Sequence, residues 1–250
     1  MSVVAIIPAR YGSKRLPGKP LKEIAGKPLI YWVWVSSKKS KLTDKVIIAT
    51  DDIRIEEECS KFGAECYSTP SDLKSGSDRA MYAYRNLKLD NDVILSIQCD
   101  EPLITGDLLD SLIASFLQSN ADVGTIVKRI NDYEDLFNPS VVKVVLRTDF
   151  SAMYFSRSTI PYLRDVKKYE WLNYGVFWKH IGIYIYKKAA LEKFIELPQS
   201  SLELAEKLEQ LRLLQAGLRI HCVETDLELM GVDTSEDLAR VRSMISKTNP

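Results

Sequence analysis

The sequence predicts an α/β fold built on a mainly parallel sheet. Two observations carry that expectation. Short, continuously apolar runs read as strands buried on both faces, and stretches of helical length alternate with them through the first half of the chain. Val3–Ile7 is the first such run. Pro28–Ser37 is apolar and aromatic, and Lys38 and Lys39 follow it where a helix would end. Lys45–Thr50 reads as a second strand and Asp52–Phe62 as a charged amphipathic helix closed by Gly63. Asp78–Leu87 is a further helix, Asp92–Gln98 a third buried strand and Gly106–Gln118 another helix. Sheets of this kind bind ligands beyond the carboxyl ends of their strands, so the loops after Ile7, Thr50 and Gln98 are where chemistry is expected.

The second half has a different texture. Val141–Leu146, Ala152–Phe155, Ile181–Tyr186 and Arg219–Val223 are short β runs. Leu204, Leu208, Leu211, Leu214 and Leu218 mark one face of a single helix, with Gly217 near its end. Thr234 can cap a last helix whose first turn, Ser235-Glu236-Asp237, is acidic. No linker or repeat interrupts the chain. The expected organisation is one domain, 1–250: a first half (1–125), a lobe on a common sheet (126–230) and a C-terminal loop and helix (231–250).

Bulk composition excludes several classes. Lys plus Arg and Asp plus Glu are 34 each, which argues against a general nucleic-acid binder. Four cysteines, none in a CxxC pair, and only two histidines, His180 and His221, make a structural zinc site unfavourable. Reduced thiols and a cytoplasmic location are expected. No run approaches the ~18 apolar residues of a membrane span, and no basic segment precedes the N-terminal apolar run as in a signal peptide.

The loop from Pro8 to Leu21 concentrates the chemistry. Arg10, Lys14, Arg15 and Lys19 place four cations in ten residues, and Gly12 and Gly18 allow close backbone approach. Successive backbone N–H groups, here with Ala9 and Ser13, can form an anion nest, and Arg can grip phosphate oxygens bidentately. The spacing is not that of a P-loop: five residues separate Gly12 from Gly18, and Pro20 follows Lys19 where Ser or Thr would bind magnesium. Asp100, at the end of a buried strand, is costly to bury unless paired or metal-bound, and Gln98 beside it could read a base edge. Ser75-Gly76-Ser77-Asp78-Arg79 opens a helix, with Ser77 explained as its cap. Arg157 follows a β run as an exposed cation that could hold a carboxylate. His180, Gly182 and Tyr184 alternate along one strand face.

Pro8-Ala9-Arg10-Tyr11-Gly12-Ser13, with Arg15, Pro17, Gly18, Lys19 and Leu21, resembles the signature of the sugar nucleotidyltransferases. More closely, it resembles the cytidylyltransferases that activate eight- and nine-carbon acidic sugars, and among them the 3-deoxy-D-manno-octulosonate (KDO) cytidylyltransferase family. The similarity runs nearly end to end. It implies a Rossmann-like three-layer nucleotidyltransferase fold with a smaller dimerisation and sugar-binding lobe. It also implies CTP and an acidic eight-carbon sugar as substrates, Mg²⁺ as cofactor, a homodimer, and supply of a lipopolysaccharide precursor. By the same resemblance Arg10, Lys19, Asp100 and Asp233 are catalytic, with Asp100 and Asp233 holding the metal. Ala9, Arg10, Gly12, Ser13, Arg15, Lys19, Ser75, Arg79 and Gln98 bind the nucleotide, and Arg157, His180, Tyr184, Glu209 and Gln210 bind the sugar. Cys99 replaces the family's usual Gly. That leaves open a related acidic sugar such as an 8-amino analogue; a sialic-acid-type sugar is a second alternative, which His180-Ile181-Gly182-Ile183-Tyr184 disfavours, and a non-catalytic nucleotide-binding regulator is the reading from another class, which the intact Asp100 and Asp233 argue against.

Overall fold

The computed structural model describes residues 1–13 and 15–248; Lys14, one of the four loop cations, lies outside the described residues. The chain forms two compact units, one of Met1–Ile113 with the chain from Glu228 onward, the other of Ala114–Leu227.

In the first unit the elements are β1 (Val3–Ala9), β2 (Glu23–Ile24), β3 (Lys27–Pro28), α1 (Leu29–Lys38), β4 (Lys45–Thr50), α2 (Ile53–Lys61), β5 (Glu65–Ser68), α3 (Gly76–Asn86), β6 (Val93–Ser96) and the start of α4 (Gly106–Gln118). Strands β6, β1, β4 and β5 lie side by side in that order, all parallel. Parallel neighbours need crossover connections, and α1 and α2 supply them between β1 and β4 and between β4 and β5. Every residue of β1 is buried, which is why its run is uninterruptedly apolar. β5 went unread in the sequence because Glu-Cys-Tyr-Ser has no apolar run and, at the sheet edge, is only half-buried. α3 begins two residues before the expected Asp78: Ser75, not Ser77, is its N-cap, accepting from Asp78 N at 3.1 Å.

The start of α4 is pressed against the end of α1. Asp110 accepts from Ser40 Oγ at 2.6 Å and from the backbone N–H groups of Lys41 and Leu42, both at 3.0 Å. Gly106 makes this approach possible: a Cβ there would stand 2.7 Å from the Lys39 carbonyl carbon and 2.8 Å from Ser40 N.

The second unit holds β7 (Val123–Arg129), α5 (Tyr133–Phe137), β8 (Lys143–Leu146), β9 (Ala152–Ser156), α6 (Trp171–Tyr174), β10 (Trp178–Lys187), α7 (Lys188–Glu196), α8 (Ser201–Glu206), α9 (Gln210–Gln215) and β11 (Ile220–Glu224). β7 pairs parallel with β11 and antiparallel with β10; β8 pairs antiparallel with both β10 and β9. The single helix expected from Leu204 to Leu218 is two short ones. The break is at Lys207, whose φ of 55° is left-handed. Tertiary hydrogen bonds outweigh helix continuity here. The Glu206 carboxylate accepts from Ser156 Oγ (2.6 Å) and Arg157 N (3.0 Å), while Arg157 Nε donates to the Glu206 carbonyl at 2.8 Å.

The chain then returns to the first unit and ends in α10 (Ser235–Thr248). Thr234 caps it as expected: Asp237 N donates to Thr234 Oγ1 at 3.2 Å, and the Asp237 carboxylate accepts from Asp233 N and Thr234 N. Val232, Leu238, Val241 and Ile245 pack with Leu16, Ile24 and Leu29 in one apolar cluster. No helix among the described residues is long and apolar enough to cross a membrane.

Because the atoms facing Gly106 are backbone, they have little freedom to yield. Gly106→Ala should destabilise the protein by about 1–3 kcal/mol, read as a lower urea midpoint with an unchanged slope.

Candidate active site

The basic loop is organised around Tyr11. Its carbonyl accepts from Ser13 N (2.8 Å) and Gly18 N (3.2 Å), and Ser13 Oγ accepts from Leu16 N at 3.4 Å. The Tyr11 ring lies so close over Gly18 that a Cβ there would come within 3.2 Å of it, and Gly18 sits at φ 65°. Gly18 therefore meets both demands that favour glycine. Gly12 meets neither, since a Cβ there would stand in open space. The Arg54 guanidinium packs 3.4 Å from the Tyr11 ring centroid, and the Asp52 carboxylate holds it there. Sequence reasoning missed this clamp because neither residue belongs to a motif. Ala9 is fully buried as the last residue of β1, opposite Thr50, so only its backbone is left to the site. Arg10 is exposed and has no ion pair among the described residues.

Beyond Gly18 the chain makes a 3₁₀ turn, Lys19–Leu21, that carries the Lys19 side chain inward. Its ammonium lies 2.5 Å from Asp100 Oδ2 and 3.1 Å from Asp233 Oδ1, partners 81 and 214 residues away in sequence. Arg15 reaches the other Asp233 oxygen at 2.9 Å. Burial works against the Lys19 charge, but the charge and hydrogen bond of Asp100, with help from Cys99 and Asp233, hold its pKa above the ordinary lysine value. Val232 N donates to the Asp100 carbonyl at 2.8 Å, which fixes the C-terminal segment over the end of the β6 chain. Gly231 allows that crossing, its Cα lying close over the Glu101 carboxyl.

Glu101 was not singled out in the sequence. Burial first, then the Asp100 and Asp233 carboxylates, push its pKa up to about 8, against the pull of Lys19. At neutral pH it is mostly a protonated acid, chiefly because burial disfavours its charge and secondly because two carboxylates lie near it. Burial, with Asp100, raises the Cys99 thiol to about 12. Cys99 is thus an inert packing residue and not a nucleophile.

Two residues expected on the nucleotide side, Arg79 and Ser75, are engaged within the protein. Arg79 is buried, at 3% exposure, and its guanidinium is spent within the protein. Nη2 pairs with Asp51 at 3.0 Å, and Nη1 donates to Thr69 Oγ1 and the Pro70 carbonyl. Asp51 in turn accepts from Tyr11 N at 3.4 Å. Arg79 therefore braces the loop from behind. Ser75 is occupied as the α3 cap, its hydroxyl donating back to Asp78 at 2.9 Å. Gln98 lies past the end of β6 with its amide directly over Gly76, where a Cβ would come within 3.1 Å. Gln98 is half-buried, and its side-chain amide has no hydrogen bond among the described residues.

In the second unit, His180 and Tyr184 meet because β10 bulges. His180 pairs opposite Val127 and Ile181 opposite Ile126, but it is Tyr184 that stands opposite Thr125. Gly182 and Ile183 are looped out, so Tyr184 takes the place on the face that Gly182 was expected to fill. In a regular strand, residues four apart are ~13 Å apart; here the two ring centroids are 5.3 Å apart. Phe155 meets the imidazole edge-on at 5.1 Å, and His180 Nε2 lies 2.9 Å from Thr125 Oγ1. Burial lowers the His180 pKa to about 3, leaving it neutral, and burial raises the Tyr184 hydroxyl well above its usual range, assisted by Tyr186 and Glu209. Gln210, the first residue of α9, is buried yet has no side-chain hydrogen bond among the described residues. Glu209 beside it is exposed.

Arg157 was expected to hold a carboxylate. Instead Nε binds the Glu206 carbonyl, Nη1 the Pro139 carbonyl at 3.0 Å and Nη2 the Lys207 carbonyl at 3.5 Å. Its guanidinium thus closes the α8–α9 break and so places Glu209 and Gln210.

Asp100 and Asp233 are the groups able to hold a metal. No cluster of three or more His, Cys, Asp or Glu side chains suited to one occurs among the described residues. A pair of carboxylates converging on one cation matches what Mg²⁺ asks of a protein when substrate phosphates supply the rest. The Lys19 ammonium stands in for that positive charge.

The buried and exposed arginines should separate cleanly by stability. Arg79→Met strands Asp51 and should cost about 3–5 kcal/mol, whereas Arg10→Ala should stay within about 0.5 kcal/mol in urea denaturation. Equal losses would contradict the assigned roles.

A family model described as cytidylyltransferase matches residues 4–220. The 3-deoxy-manno-octulosonate cytidylyltransferase of Cytophaga hutchinsonii is 45% identical over 96% of both chains. That of Parabacteroides distasonis is 44% identical over 98% of this chain and 99% of its own. A solved structure of CMP:2-keto-3-deoxy-manno-octonic acid synthetase complexed with CTP superposes with a TM-score of 0.92 at 38% identity, covering 99% of this chain and all of that one. On these likenesses in sequence and fold, the chain belongs to the cytidylyltransferase family, among the 3-deoxy-manno-octulosonate cytidylyltransferases.

Proposed function

We propose that the protein couples CTP to KDO, giving CMP-KDO and pyrophosphate, in the cytoplasm and as a homodimer, and so feeds lipopolysaccharide synthesis. The observation that carries this reading is the convergence of Asp100 and Asp233 on Lys19, in a loop whose Arg10 is exposed and has no ion pair among the described residues. Two carboxylates and several cations around one point suit a triphosphate that arrives with its own metal.

In this reading Arg10, Arg15 and Lys19 bind the triphosphate, and the backbone of Ala9, Gly12 and Ser13 lines it. Gln98, with its free amide, reads the cytosine edge over Gly76, while Ser75 and Arg79 keep that surface in place. The sugar's anomeric hydroxyl oxygen forms a bond to the α-phosphorus as the bond to the pyrophosphate oxygen breaks, and the hydroxyl proton passes to solvent. Little covalent chemistry is asked of the protein; positioning and charge neutralisation dominate. Asp100 and Asp233 would hold Mg²⁺, which when bound lowers the pKa of the attacking hydroxyl and shields the phosphates. Lys19 then moves from bridging the carboxylates to pairing with phosphate. His180, Tyr184, Glu209 and Gln210 hold the sugar hydroxyls, with Arg157 fixing the break that presents the last two.

Pyrophosphate release tests this directly. CTP and KDO with Mg²⁺ should give turnover, and omitting any of the three should remove it; a better rate with another acidic sugar would change the substrate. Asp100→Ala should lower kcat by at least ~100-fold while leaving the melting curve intact. Near-normal turnover would take Asp100 out of the mechanism.

A further inference from the structure

Thr125 lies on β7, fully buried, and nothing in the sequence sets it apart. Its Oγ1 is 2.8 Å from the Ile183 carbonyl oxygen, 3.2 Å from that of Ile181 and 2.9 Å from His180 Nε2. A threonine hydroxyl has one proton and two lone pairs. Both carbonyls can only accept, so the proton points to them. The hydroxyl oxygen is left to accept from the imidazole, which places the histidine proton on Nε2 and leaves Nδ1 with a bare lone pair. No hydrogen bond reaches Nδ1 among the described residues. The bulge belongs to the same arrangement. Looping out Gly182 and Ile183 turns the Ile183 carbonyl onto Thr125, and the Phe155 and Tyr184 rings hold the imidazole plane.

We propose that Thr125 is a positioning residue of the sugar site: its hydroxyl locks His180 in the Nε2–H tautomer, so that Nδ1 accepts a hydrogen bond from a hydroxyl of the acidic sugar. An acceptor at this point selects a donor group on the sugar and repels a carboxylate or keto oxygen, which the other tautomer would attract. The proposal rests on the reading of His180 as a sugar ligand and says how that ligand chooses its partner.

The chain has only two histidines, so ¹⁵N-histidine NMR resolves both, and His221→Gln assigns them. In the unaltered protein near pH 7.5, His180 should show a protonated Nε2 and an unprotonated Nδ1; the opposite tautomer would overturn the proposal. Thr125→Val should raise the Nδ1–H population and raise the KM for KDO roughly tenfold, with the KM for CTP unchanged. Thr125→Ser should restore both, and its melting curve guards against mere misfolding. Unchanged tautomer populations or an unchanged sugar KM in a folded Thr125→Val protein would sink the role of Thr125. An unchanged sugar KM in His180→Gln would instead remove the sugar reading on which it rests.

Discussion

The Lys19 ammonium, shared between Asp100 and Asp233, is the interaction on which the first unit's site depends. Its side chain is only 11% exposed, and an ammonium so buried is tolerable only when paired. The requirement joins three distant stretches: the basic loop, the end of the β6 chain and the turn before α10. Apolar packing does the gathering. Leu16 from the loop and Val232 from the turn belong to one buried cluster with α10, so the packing that joins these segments also holds the carboxylate and the ammonium close together. Glu101 nearby stays protonated near neutrality, first because it is buried and then because Asp100 and Asp233 oppose a further negative charge.

A comparable logic shapes the second unit, with hydrogen bonds in place of charge. Glu206 and Arg157 exchange carboxylate and carbonyl bonds across the end of β9, and the cost of breaking an amphipathic helix at Lys207 is offset by satisfying α8's last carbonyls. The β10 bulge likewise gives up two residues of regular pairing to set two rings side by side. In both places an irregularity in secondary structure occurs where a side chain is presented, which is where local rules are expected to yield.

Much of this was legible in the residues. Val3–Ile7, Lys45–Thr50 and Gly106–Gln118 announced themselves by burial periodicity, and the structure keeps them with at most two residues' change at one end. Asp100 and Lys19 were readable because their motifs sit at the mouth of a parallel sheet. β7, Val-Gly-Thr-Ile-Val-Lys-Arg, was not read as a strand. With it went Thr125, whose importance lies wholly in what stands opposite it. Gly12 and Gly18 looked alike in sequence, yet only Gly18 has a left-handed backbone and a ring against it.

The sequence alone determined that the first, second and third apolar runs would be buried strands, that the first loop would be cationic, and the family to which those motifs belong. These properties are carried by neighbouring residues and by spacing. Tertiary structure alone decided that Arg79 is buried and braces the loop while Arg10 is exposed, though each is one arginine in a motif. It also decided that Asp233 meets Lys19 across 214 residues. A side chain's charge is written locally, but its partner is chosen by the packing of segments that share no local signal.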